Sequence, residues 1–189
     1  MTDVFDVLAE DHAEVQWMLA EFERGPNAAA ATQDELLLRK KMAETLIIEE
    51  SKHEALEEMY FWPAVREQVT DGDVLADEAA SQEQEGKVIL DKLDKADAGD
   101  PEFEALLATF IDAARAHIRF EETRVWPRAR LALSPQAAAE LGTKIAEGKK
   151  TAPTRPHPHA PASPGVLKTA GPAVAAADRA RDSVTGRGD

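Results

Sequence analysis

The stretch HEALEEMYFWPAVR, residues 53–66, lies over HIRFEETRVWPRAR, residues 117–130, without a gap. The pattern His-x-x-x-Glu-Glu-x-x-x-Trp-Pro-x-x-Arg is thus written twice in one chain. Residues four apart on an α-helix sit one turn apart on nearly the same face. Each copy therefore presents an imidazole and a carboxylate together, His53 with Glu57 and His117 with Glu121. A shared geometric job explains the repetition better than drift within helical sequence does.

Outward from these copies, the chain divides into helices. Val4, Leu8, Val15, Leu19 and Phe22 recur at three- and four-residue spacings until Gly25-Pro26 ends the pattern, which predicts a first helix over 3–24. Thr32-Gln33-Asp34-Glu35 is a capping box. It opens a second helix that runs through His53 to Trp62-Pro63, where a residue without a backbone donor predicts an end or a kink. A third helix starts at Asp73 and ends near Asp97. A fourth starts at Asp100-Pro101 and meets Trp126-Pro127, and a short fifth follows Ser134-Pro135 and fades near Gly148. Long amphipathic segments on short links predict an all-α fold, an up-down-up-down four-helix bundle over residues 1–148. Residues 149–189 are rich in proline, alanine and glycine and keep no period, so a disordered tail is expected there.

In that topology the second and fourth helices run parallel, and the two His/Glu pairs face each other at one height. A second internal alignment, DHAEVQWMLAEF (11–22) on QEQEGKVILDKL (82–93), sets Leu19 on Leu90, Phe22 on Leu93 and His12 on Glu83. The converging set becomes His12, His53, Glu57, Glu83, His117 and Glu121. Ionised carboxylates are almost never fully buried without a partner, so a joint metal site is expected over unconnected core histidines and surface glutamates. Glu58 and Glu122 lie about 100° round the wheel and are supporting or surface residues, although Glu122 replaces Glu121 if the fourth helix is rotated. Tyr60, the one tyrosine, lies seven residues after His53 and leans back toward Glu57. It is either a phenolate ligand or a core tyrosine, and Arg124 stands in its place in the second copy. Gly86 leaves room for a small ligand or for a neighbouring side chain.

The chain has 189 residues, 43% apolar and 31% charged, which suits a soluble globular domain. It has no cysteine, which excludes disulfides, thiolate metal sites and thiol catalysis and leaves nitrogen and oxygen as ligands. A net charge of -14 argues against nucleic acid and anionic membranes as partners. No long apolar run and no signal peptide is read from the sequence, so a cytoplasmic location is expected.

Asp11-His12, His53 with Glu57-Glu58 and its Trp-Pro, and His117 with Glu121-Glu122 together resemble hemerythrin-like proteins with the HHE cation-binding domain, of the actinobacterial or mycobacterial type. The resemblance spans most of residues 3–130. It implies two non-haem iron ions bridged by carboxylates and by an oxo or hydroxo group, with manganese the lesser expectation. Such proteins usually carry histidine on the third helix, where this chain offers Glu83. Hard anionic donors favour the ferric state, which points away from reversible oxygen carriage. Members of this type are associated with hydrogen peroxide disproportionation, so the resemblance implies catalase-like turnover with peroxide as the small ligand. The alternative is a module that binds or senses dioxygen or nitric oxide without turnover. A ferritin-like ferroxidase is weakened, because Glu-x-x-His occurs at Glu50–His53 but position 114 is alanine.

Overall fold

The carboxylate of Asp3 accepts the backbone N–H groups of Phe5 and Asp6, and Asp6 returns the contact, closing a capping box that starts α1 (Val4–Arg24). Thr32 and Glu35 do the same for α2 (Gln33–Leu56). A computed structural model of the chain describes residues 2–159 and 164–187. Its further helices are α3 (Trp62–Gln68), α4 (Gly72–Lys95), α5 (Pro101–Phe120), α6 (Trp126–Ala132), α7 (Pro135–Gly148) and α8 (Pro164–Thr185). Four arms, α1, α2 with α3, α4, and α5 with α6, make the expected helical bundle, and α7 packs on α1.

The two Trp-Pro steps neither end nor sharply break their helices. Pro63 and Pro127 lack the N–H that would bond the carbonyl four residues back. The chain widens instead into single π-turns over Glu57–Phe61 and Glu121–Val125, in which the N–H of Trp62 bonds the carbonyl of Glu57 and that of Trp126 bonds Glu121. A five-residue step then makes one turn, so each tryptophan returns to the side of its own glutamate. Widened turns of this type cluster at functional sites.

The core has two apolar clusters with a polar layer between them. One gathers Val4, Leu8, Phe61, Leu75, Trp126 and Ile145, and the other Val15, Phe22, Leu46, Leu90 and Phe110. On every arm the residue between the clusters is ionisable: His12, His53, Glu83 and His117. The helices reach this common level because α2 overhangs α1. Arg39, six residues into α2, donates to the carbonyl of Phe22 at 3.1 Å near the end of α1.

The C-terminal segment differs from the expected disordered tail. Pro164–Thr185 is helical, and Asp178 and Asp182, one turn apart on it, are buried. Arg155 pairs with Asp182 at 2.6 Å and with Asp94 at 3.0 Å, and His157 meets Asp178 at 2.9 Å. Alanine-rich sequence carries high helix propensity, and these charge-assisted contacts tie the segment to α4; a reading by composition weighs neither. Residues 160–163 and 188–189 of the proposed tail lie outside the described residues.

Candidate metal centre

All six residues of the pseudo-symmetric set converge. His12 comes from α1, His53 from α2, Glu57 from the first π-turn, Glu83 from α4, His117 from α5 and Glu121 from the second π-turn. They form two groups, His12 with His53 and Glu121, and Glu57 with Glu83, His117 and Glu121; within each, the donor atoms lie within 4.8 Å of one another. Glu121 belongs to both. Its Oε2 is 3.2 Å from Nε2 of His12 and its Oε1 is 3.1 Å from Nε2 of His117. Glu57 belongs to the second group alone, although its Oε2 is 3.3 Å from Nε2 of His53.

These atoms are close, yet they do not point at each other as hydrogen bonds require. Nε2 of His12, His53 and His117, both oxygens of Glu57 and Glu121, and Oε2 of Glu83 are all buried without a hydrogen-bond partner. Leaving so many polar atoms unpaired costs about 1–3 kcal/mol each. Cations held between them would satisfy these atoms, and a set of imidazole nitrogens and carboxylate oxygens suits iron or manganese.

The far side of each ring is held. Nδ1 of His12 meets Glu122 at 3.0 Å, Nδ1 of His53 meets Asp11 at 3.3 Å, and Nδ1 of His117 meets Oε1 of Gln82 at 3.0 Å. A ring that donates from Nδ1 keeps the Nε2 lone pair for a metal, which is the usual outer-shell arrangement of metal-binding histidine. The tryptophans returned by the π-turns complete the wall. Trp62 donates from Nε1 to Oε1 of Glu83 at 2.5 Å, and Trp126 stacks on His12 with ring centroids 5.0 Å apart.

Several sequence expectations resolve here. Glu121, not Glu122, faces the centre, and Glu122 supports His12. Glu58 pairs with Lys87 at 2.5 Å. Tyr60 is half-buried on the first π-turn and packs against the apolar cluster of Val4 and Phe61. Arg124 does not stand beside the carboxylates; it is exposed, lies over the Phe120 ring and reaches Glu78 at 3.5 Å, because the π-turn rotates it outward. Gly86 makes room for a neighbour: a Cβ there would lie 3.3 Å from Oε1 of Glu54. Asp11 and Gln82 were not singled out as supports, although they occupy equivalent places in the alignment of 11–22 on 82–93 and support the equivalent histidines.

Residues 3–129 match the hemerythrin HHE cation-binding domain. The chain belongs to that family. Among solved structures, it is similar to a hemerythrin HHE cation-binding domain-containing protein from Mycobacterium kansasii, with a TM-score of 0.65 and 19% identity, over 94% of this chain and 99% of that one. At that identity the likeness is one of fold, and a 94% share takes in helices well beyond the matched domain. No curated protein sequence matches the chain significantly. Among the described residues, no helix is long and apolar enough to cross a membrane.

Metal-free, this HHE centre stores protons. Burial works against a charged His117, but Glu121, Glu83 and Glu57 together push it up to about 10, and His53 is raised in the same way by Glu57 and Asp11. Burial and the neighbouring carboxylates raise Glu57 and Glu83. Burial also opposes the charge of Glu121, yet His117 and His12 hold it well below the usual carboxylate range. Metal binding needs neutral imidazole and ionised carboxylate, so it must expel these protons. Affinity for a divalent cation should therefore rise with pH below about 10, by about tenfold per unit for each proton released. Titration with Mn2+ at pH 6, 7 and 8 in several buffers checks this, and a pH-independent affinity would contradict it.

Proposed function

We propose that the centre holds two iron ions and disproportionates hydrogen peroxide to water and dioxygen. The supporting observation is the pair of interlocked donor groups sharing Glu121, with carboxylates as numerous as imidazoles. Hard anionic donors favour the higher metal charge, which suits redox turnover better than reversible oxygen carriage. Bound there, a pair of irons would supply the electron store, taking two electrons from one peroxide and returning them to the next.

The chain's own groups set the conditions. Asp11, Gln82 and Glu122 fix the three rings, and Trp62 leaves one oxygen of Glu83 turned inward. The apolar clusters above and below the layer exclude bulk water. Two protons leave with the electrons of the first peroxide and must be returned to the second. Glu54, which follows His53 in the chain, is buried, and burial pushes its carboxyl up to about 8 against the pull of Lys87, so it is a group able to hold a proton near neutral pH.

Oxygen evolution from added peroxide by the iron-loaded protein, compared with free iron at the same concentration, tests the reading. Turnover well above free iron is expected. Absence of turnover, with a reversible spectral change under dioxygen or nitric oxide, would replace it with a binding or sensing module. Tyr60, packed against the apolar cluster, is either a core tyrosine or a further anionic ligand, and one variant separates the two. A visible phenolate-to-iron absorption that vanishes in Tyr60→Phe makes Tyr60 a ligand, and a band that survives removes it from the ligand set.

A further inference from the structure

The matched domain ends at residue 129, yet a side chain from beyond it reaches the outer shell of the centre. Lys149, which caps the C-terminus of α7, donates from Nζ to Oδ1 of Asp11, and the other oxygen of Asp11 meets Nδ1 of His53. The relay is Lys149, Asp11, His53. Side-chain exposure falls inward along it, from 32% at Lys149 to 14% at Asp11 and 6% at His53. Charges so placed are screened far less than surface pairs are.

The position of Lys149 is fixed by the packing of α7. A Cβ on Gly142 would lie 2.6 Å from the backbone carbon of Asp3, and one on Gly148 would lie 2.4 Å from Cδ2 of Leu56. Two glycines thus seat α7 directly on the start of α1 and the end of α2, the helices that carry His12 and His53. Lys149 follows the second glycine immediately, so its backbone is held within reach of Asp11.

We propose that Lys149 is a positioning residue for the metal centre, holding Asp11 against His53 and setting the charge felt by the ion that His53 binds. The proposal rests on metal binding at this centre and not on peroxide turnover. Asp11 shares its charge between the ammonium and the ring. Without the ammonium, the carboxylate draws the Nδ1 proton of His53 more strongly, Nε2 becomes a better donor, and the nearby positive charge is gone. Both changes favour the oxidised metal, so the midpoint potential should fall.

The test is a redox titration of the iron-loaded full chain, followed by its visible spectrum, for wild type, Lys149→Met and Lys149→Arg. A lower midpoint in Lys149→Met, restored in Lys149→Arg, with metal-free unfolding transitions alike in all three, is the expected result. Repeating the substitution in an Asp11→Asn background, where the relay is already cut, should give a much smaller shift. An unchanged midpoint in Lys149→Met, or an equal shift with and without Asp11, would overturn the proposal. Should Lys149→Met fail to fold, Lys149→Gln carries the same expectation and the same refutation. Failure of the wild-type chain to take up iron at all would instead remove the metal-binding reading beneath it.

Discussion

In Glu121→Ala, iron retained after desalting should fall from the proposed two ions per chain to near none, whereas Glu122→Ala should keep most of its iron. Glu121 belongs to both donor groups and turns one oxygen to His12 and the other to His117. Removing it leaves the first group with two imidazoles and no carboxylate of its own, and it breaks the link that holds the groups together. Loss of an outer-shell support typically costs about 10–100-fold in metal affinity, and loss of a shared ligand should exceed that at both positions. Among the described residues, Glu122 makes its polar contact with Nδ1 of His12 and does not face the centre, so its removal belongs to the smaller class. Metal analysis of the two variants beside wild type reads the difference. Equal iron in both would mean that Glu121 does not join the groups.

Gly72→Ala should destabilise the protein by about 3 kcal/mol, the upper end of the overpacking range. A Cβ at Gly72 would lie 2.1 Å from the carbonyl oxygen of Val65 and 2.9 Å from its carbonyl carbon. Both are backbone atoms of α3 and cannot rotate away. The corner is already constrained, since Asp71 just before it has φ 60°, in the left-handed region. Relief requires α3 to move from α4, and α3 begins with Trp62, the donor to Glu83. The melting temperature of the metal-free protein should drop by about 6–12 °C, and iron affinity should fall with it. Gly99→Ala is the control, because a Cβ there meets only Cδ1 of Leu36 at 3.7 Å. Similar melting temperatures for the two variants would contradict this account of the α3–α4 corner.

The four arms were legible because each carries its signals locally: a cap at Thr32, proline at 101, and apolar residues at helical spacing. The six converging side chains were legible because the chain writes the site as two related halves. The π-turns were not, because proline predicts only the loss of one hydrogen bond; the widened turns come with tertiary contacts, Trp62 to Glu83 and Trp126 on His12. The outward turn of Arg124 follows from the same unseen residue. Helix α8 was hidden by a composition that resembles disorder, and what ties its segment down, Asp178 and Asp182 against Thr154, Arg155 and His157, is a set of tertiary pairs. Lys149 lay in the basic stretch where the charge changes sign, and only the packing of α7 brings it to Asp11.

Anomalous scattering at the iron edge from crystals of the iron-loaded protein tests the central claim most directly. Two peaks are predicted inside the bundle, one beside His12 and His53 and one beside Glu83 and His117, with Glu121 bonded to both. A single peak, or iron held elsewhere in the chain, would contradict it.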